Sequence, residues 1–368
     1  MSTPAYLVLQ DGHVFEGRLF GCADNLSDGK DVLGEVVFTT GMTGYLETLS
    51  DPSYYGQIVV QTFPLIGNYG VIPADFESGA LWPRAYIVRE WCEHPSNFRS
   101  EGDLDALLRE RGVVGLSGID TRSLTRVIRD AGVMNGAVTL CPDAVDRRAL
   151  DRHGVKEPVA GVSTPKVVRM GAKKAKRRVV LWDFGAKANI ARSLVARDCE
   201  VVVVPHKYTA KKIAAYEPDG IMLSNGPGDP GENDGVVAEL RTLLEYRIPT
   251  FGICLGHQIL AIAMGAKSQK LKYGHRGANQ PVRDVRTGRV YITTQNHGYA
   301  VVPESIPKRV AEMRFVNAND GTCEGIDYKK MPAFGVQFHP EACAGPMDTS
   351  YLFDRFVEMM EAYRHAAR

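Results

Sequence analysis

No C-x-x-C pair, no ligand-like clustering of cysteine with histidine, no excess of either charge and no long apolar run occurs in this 368-residue sequence. Each absence removes a class of protein. The seven cysteines stand at 22, 92, 141, 199, 254, 323 and 343, too scattered for a zinc site, so free thiols in a reducing compartment are expected. Lys plus Arg number 44 against 43 Asp plus Glu, which leaves no field to draw in nucleic acid or an anionic membrane. No apolar stretch approaches the ~20 residues needed to span a bilayer, and MSTPAYLVLQDGHVFEG has no basic segment leading into an apolar one. A cytoplasmic protein with no nucleic-acid and no membrane partner is expected. H-E-x-x-H, Walker A and EF-hand patterns are also missing, so no metal and no nucleotide is expected on this chain.

What is present is ordinary globular composition, 44% apolar and 24% charged, on a chain long enough that two domains are expected. Residues 1–160 read as a mixed, β-rich domain. YLVLQDG is a strand running into a turn at Asp11-Gly12, and EVVFTTG, QIVVQTF and AYIVRE are further short apolar runs between turn residues. LDALLRERG and TRSLTRVIRDAG read as helices, the second capped by Asp120 or Thr121 and stopped by Gly132. Residues 161–178, GVSTPKVVRMGAKKAKRR, carry seven basic residues without a clean period and read as a basic linker.

From 179 to 368 the grammar changes. VVLWDFG, ANIARSLVARD, EVVVVP, GIMLSNGPG, VVAELRTLLEY, PTFGIC and HQILAIAMG alternate continuous apolar strands with helical segments. Such strands belong to a parallel sheet covered on both faces, so a doubly wound α/β domain is expected, with its ligand beyond the carboxyl ends of the strands.

Three motifs carry chemistry. Gly252-Ile253-Cys254-Leu255-Gly256 lies between a strand and a helix, the setting of a nucleophile elbow, whose sharp turn leaves no room for side chains beside the reactive one. A helix amino end there favours the thiolate and offers N–H groups to a developing oxyanion. His339 and Glu341 flank Pro340 at the end of a strand, two apart and so able to face the same side. A carboxylate placed there can orient a proton-shuttling imidazole. His257 competes as the base, but it sits on the elbow helix with no acid nearby, where helix packing is its expected role. The third motif, Ser224-Asn225-Gly226-Pro227-Gly228-Asp229-Pro230-Gly231, contains a literal G-x-G-x-x-G. Two prolines remove donors from that turn, a poor cradle for a pyrophosphate, whereas a rigid turn can aim one N–H into a site.

Together GICLGHQ, SNGPGDP and HPE, in this order on an α/β pattern, resemble the class I triad glutamine amidotransferases from roughly Val179 to Arg368. TTGMTGYLETLSDPSYYGQIVVQTFPLIGNYG, GIDTRSLTRVIRDAG, VVLWDFGAKANI and YGHRGANQPV are similar to the carbamoyl phosphate synthetase small-chain family, so the resemblance spans nearly the whole chain. It implies that Cys254 attacks the glutamine amide to form a γ-glutamyl thioester, that His339 moves protons and that Glu341 orients His339. It further implies an oxyanion hole from the N–H groups of Leu255 and Gly226. Glutamine contacts are implied at Ser53, Gly226, Gly228, Leu255, Gln258, Asn296, Gly298 and Tyr299. Ser53 comes from the first domain, which would put the substrate near the domain interface.

The implied partner is a large subunit that binds ATP and Mg and joins bicarbonate with ammonia received from this chain. The product would be carbamoyl phosphate for pyrimidine and arginine synthesis, and the assembly a heterodimer or an oligomer of heterodimers. No cofactor is expected on this chain itself. Two departures from the family pattern stand out: Tyr299 where Phe is more usual, and Cys343 in EACAGPMD where EASPGP is usual.

Alternatives fit less well. Amidotransferase chains of other synthetases lack DPSYYGQ-like sequence. A non-catalytic binding subunit does not require thiol, imidazole and carboxylate together. In a cysteine α/β-hydrolase the acid precedes the histidine, whereas Glu341 follows His339.

Overall fold

The computed structural model describes residues 3–366, and the chain divides into two compact units, Met1–Lys156 and Glu157–Arg368. Neither unit contains a helix long and apolar enough to cross a membrane, among the described residues.

In the first unit seven strands close into a barrel, in the order Pro4–Leu9, Val14–Gly21, Val114–Ser117, Ala85–Ile87, Gln57–Gln61, Val32–Thr39, Met134–Thr139. Successive side chains on these strands point to opposite faces. Val36, Ile58, Val60, Ala85 and Ile87 pack into one cluster with Leu124 and Ile128 of the helix Thr121–Ala131. Their chain neighbours Val37, Val59 and Tyr86 pack into another, with Tyr45, Leu46 and Leu49 of the helix Tyr45–Ser50. Both faces of these strands are therefore buried, which a short apolar run without alternation predicts. The helix Thr121–Ala131 starts where expected, with Asp120 accepting from the Ser123 N–H, and stops at Gly132 with φ 103°.

The second unit is built on a ten-stranded sheet. Five of its strands run parallel, in the order Cys199–Pro205, Arg177–Asp183, Gly220–Leu223, Thr250–Ile253, Ala333–Val336. Val180, Trp182, Val202 and Val204 face the helices Asp234–Glu245 and Leu255–Ala263. Val179, Leu181 and Val201 face the opposite layer, with Ile190 and Leu194 from Ala188–Val195 and Phe353 and Phe356 from Tyr351–Ala366. This is the doubly wound arrangement expected from residue 179 onwards.

Two features differ from expectation. Beyond Ala333–Val336 the sheet continues with antiparallel strands Cys323–Tyr328, Ala311–Asn317, Ser268–Asp284 and Val290–Val301, where the strand-helix alternation has ended. And 161–178 is not a free linker. Val168–Met170 pairs with Val201–Val203 as an edge strand, and Arg177 and Arg178 begin a central one. Two of the basic residues share one partner: Arg169 and Arg178 both bind Glu200, at 2.6 and 2.8 Å. A solvated charge run and an edge strand with paired charges read alike when only composition is considered.

Candidate active site

Every parallel strand ends on the same side of the sheet, and the chemistry-bearing motifs lie just beyond those ends. The chain reverses its winding between Arg177–Asp183 and Gly220–Leu223, the kind of switch point where open α/β sheets bind ligands. Asp183 shapes the first loop by accepting from the N–H groups of Gly185 and Ala186, at 2.8 and 2.7 Å. Across the switch, the Asn225 side-chain oxygen accepts from the Lys187 N–H at 3.0 Å. Ser224 then ties this loop to the next, since its carbonyl accepts from the Gly256 N–H at 2.9 Å.

Cys254 sits at the turn between Thr250–Ile253 and Leu255–Ala263 with φ 53° and ψ −107°, one of the few non-glycine residues at positive φ. Such a conformation is costly for an L-residue and persists only where its surroundings impose it. Here they do. A β-carbon on Gly252 would lie 2.7 Å from the Gly256 carbonyl oxygen, and one on Gly256 would lie 2.3 Å from that of Leu223. The Cys254 N–H donates to the Val336 carbonyl at 2.9 Å, while its own carbonyl accepts from the Gln258 N–H. The thiol is buried; its sulfur lies 3.7 Å from the Asn296 carbonyl and 3.5 Å from the Gln337 amide nitrogen.

His339 follows the neighbouring strand Ala333–Val336, and its N–H is held by the Thr294 carbonyl at 2.9 Å. Its Nδ1 lies 2.6 Å from Glu341 Oε1, and both side chains are fully buried. Nε2 is buried without a hydrogen-bond partner, so that edge of the ring is open to a reacting group. Lys187 Nζ stands 3.4 Å from the same Glu341 oxygen. Burial alone would raise the Glu341 carboxyl, but the charges of His339 and Lys187 and the hydrogen bond from His339 outweigh it and hold it at about 2. The lowering favours the ionised carboxylate, and its 2.6 Å contact with Nδ1 fixes the ring's orientation.

The other candidates fall into three groups. Gln258, Asn296 and Tyr299 gather with the thiol, because Gln258 Nε2 donates to the Tyr299 carbonyl at 2.7 Å and to Gln337 Oε1 at 2.8 Å. The Tyr299 contact with Gln258 is made by its main-chain carbonyl, which tyrosine and phenylalanine offer alike. Gly226, Gly228 and Gly298 mark close approaches. A β-carbon on Gly226 would meet the Phe184 carbonyl at 2.2 Å and Leu255 Cδ2 at 2.9 Å, and one on Gly228 would meet Pro158 Cγ at 2.3 Å. Ser53 belongs to the first unit, on the turn Pro52–Tyr54, where its N–H donates to Asp51.

The competing readings lose ground. The Gly231 N–H is taken by its neighbour Asp229 at 2.7 Å, so the G-x-G-x-x-G turn offers no row of free donors. His257 is completely buried against Gly335, and burial drives its imidazole down to about 3, which suits packing rather than proton transfer. Cys343 is exposed and accepts from Asn189 Nδ2 at 3.0 Å. His275, His297 and Glu324 present atoms within 4.8 Å of one another, the one cluster with metal-ligand chemistry among the described residues. Three of their four ring nitrogens lie within hydrogen-bond distance of Asp320, the Tyr299 carbonyl and Gln295, while His275 Nδ1 is 3.4 Å from Glu324.

Two residues at the site escape motif reasoning, Lys187 and Gln337. Both lie in the stretches VVLWDFGAKANI and FGVQFHPE, but a lone lysine after a strand and a glutamine within one carry no pattern of their own.

Residues 180–359 match the glutamine amidotransferase class-I family, and residues 7–138 match the carbamoyl-phosphate synthase small chain, CPSase domain. The chain is 50% identical over 364 residues to the carbamoyl phosphate synthase small chain of Bacillus anthracis, covering 97% of this chain and 96% of that one. The chain belongs to the carbamoyl phosphate synthase small chain family. It is 47% identical over 362 residues to the pyrimidine-specific small chain of Bacillus subtilis, covering 96% and 95% of the two. The Fusobacterium nucleatum small chain is 47% identical over 361 residues, covering 96% and 98%. A solved glutamine amidotransferase from Thermotoga maritima aligns over 51% of this chain and 85% of its own, at 19% identity and a TM-score of 0.37.

Proposed function

We propose that this small chain hydrolyses glutamine at Cys254 and delivers the ammonia to a carbamoyl phosphate synthase large subunit. The observation that carries the reading is the strained Cys254 elbow, pinned by its N–H to the strand that leads into the buried His339–Glu341 pair.

The Cys254 sulfur attacks the γ-carbonyl carbon of glutamine. The helix amino end at Leu255 and the Gly226 turn supply N–H groups to the oxyanion, stabilisation that costs no reorganisation when the charge develops. His339 takes the thiol proton on Nε2 and gives it to the amide nitrogen, the C–N bond breaks, and ammonia leaves a γ-glutamyl thioester. Water then attacks the thioester with His339 as base, the C–S bond breaks, and glutamate departs as the sulfur regains its proton. Glu341, held ionised beside Lys187, keeps Nδ1–H of His339 in the productive orientation. Gln258 and the strand 295–299 contact the glutamine.

Free ammonia would be protonated and diluted in bulk water, which favours direct passage to the partner. ATP and Mg belong to the large subunit, with no cofactor on this chain, and the two subunits form a heterodimer or an oligomer of heterodimers in the cytoplasm. Acid quenching during turnover tests the covalent step. The protein should carry the mass of one γ-glutamyl group on Cys254; hydrolysis that proceeds without any covalent species, and survives Cys254→Ser, would refute it.

A further inference from the structure

A chain of polar side chains runs from the rim of the second unit to the thiol. Asp320, half-exposed, binds His275 Nε2 at 2.8 Å, and His275 Nδ1 lies 3.4 Å from Glu324 Oε1. Glu324 is completely buried; its Oε1 also accepts from Asn317 at 3.3 Å, and its Oε2 lies 2.9 Å from the Gln295 amide. The other end of that amide lies 3.0 Å from His297 Nε2, and His297 Nδ1 lies 2.7 Å from the Tyr299 carbonyl. That carbonyl is shared with Gln258, which reaches Gln337 and so the Cys254 sulfur.

Counting protons along this chain gives an odd result. The Tyr299 carbonyl can only accept, so His297 Nδ1 carries a hydrogen. If Gln295 turns its oxygen to His297, Nε2 must carry one as well, and the ring is a cation. If Gln295 is turned the other way, its oxygen faces Glu324 Oε2, and the carboxyl must be protonated. Both orientations hold one proton more than an ionised Glu324 with a neutral His297.

We propose that Glu324 is a positioning residue for the amidotransferase site: with Gln295 it holds one shared proton against His297, and that proton keeps the Tyr299 carbonyl in place beside Gln258. The inference rests on the assignment of Cys254 as nucleophile and of Gln258 and Tyr299 as glutamine contacts. Burial raises Glu324, against the pull of the His275 cation, while burial pushes His297 well down, so the proton resides mainly on Glu324. The other charged or titratable groups facing the pair are Asp320 and His275 on the Glu324 side, and His275, Arg276 and His339 on the His297 side, with Cys323 preceding Glu324 in its strand. When rising pH removes the shared proton, one hydrogen bond of the His297–Gln295–Glu324 series must break, and the strand that lines the glutamine subsite loosens.

The test is the pH dependence of glutamine-driven synthesis by the complex with its large subunit, from roughly pH 6.5 to 10, for wild type, Glu324→Gln and Gln295→Met. Glutamine at 324 is neutral and can donate to Gln295 at every pH, and methionine at 295 removes the acceptor that demands the proton. In wild type the KM for glutamine should rise roughly tenfold more across the alkaline range than in either variant, the loss of about one hydrogen bond, with kcat little changed. The substrate's amino group titrates equally in all three and cancels. Equal alkaline limbs in wild type and variants would overturn the shared proton. Hydrolysis retained by Cys254→Ser would instead overturn the underlying assignment of the nucleophile.

Discussion

The N–H of Cys254 donates to the carbonyl of Val336 at 2.9 Å, so the turn carrying the thiol is tied to the strand that three residues later presents His339. Strand pairing continues below this contact, Ile253 opposite Val336 and Gly252 opposite Gly335. The two reacting side chains thus share one rigid platform, which is how a site keeps its geometry within the tolerance catalysis demands.

The platform has no space to spare, and the glycines beside Cys254 should show it. Gly256→Ala puts a β-carbon 2.3 Å from the Leu223 carbonyl oxygen, a backbone atom that cannot swing away. A loss of about 1–3 kcal/mol is expected, together with most of the glutaminase activity. Gly235→Ala, in a first helical turn with nothing within 4 Å, is the control and should be neutral or slightly stabilising. Chemical denaturation of both variants checks the contrast.

His339→Ala should cost more than Glu341→Ala. In the proposed mechanism the imidazole moves the proton in both half-reactions, worth on the order of 10²–10⁴-fold, whereas the carboxylate acts only through the ring. Glutamate release by each variant, at saturating glutamine, measures the ranking. The reverse order would mean that Glu341 does more than orient.

Stability should fall on the alkaline side through His275. Burial would lower this imidazole from its ordinary 6.5, but its hydrogen bond and ion pair with Asp320, with the Glu324 carboxyl on its other side, outweigh it and raise it to about 9. Because the folded value lies above the unfolded one, the contribution is complete below 6.5 and is lost as pH rises through about 9. Denaturation midpoints for wild type should drop over that window, and Asp320→Asn should drop less. The difference will be modest, since Asp320 is half-exposed and solvent screens the pair.

Much of this site is legible before any fold is known, and the reasons are local. The elbow shows itself because two glycines bracket a cysteine between a strand pattern and a helix pattern, a spacing with few other uses. His339 and Glu341 can be paired because side chains two apart in extended backbone face the same way. Lys187 gives no such sign. It reaches Glu341 from a loop whose backbone at Lys187 is held by Asn225, across the switch point, and that contact depends on strand order. Barrel closure in the first unit is likewise a property of pairing, since Pro4–Leu9 meets Met134–Thr139 across more than a hundred residues. The stretch 161–178 misleads for a related reason: its charges look solvated until Glu200, from another strand, is placed beside Arg169 and Arg178.

Transfer of nitrogen from amide-15N glutamine into carbamoyl phosphate, in ammonia-free buffer with the large subunit, bicarbonate and ATP, tests the central claim most directly. Labelled product should form with wild type and vanish with Cys254→Ser, while added ammonia still supports synthesis by the Cys254→Ser complex. Labelled carbamoyl phosphate from Cys254→Ser, or equal loss of glutamine-driven and ammonia-driven synthesis in that variant, would contradict it.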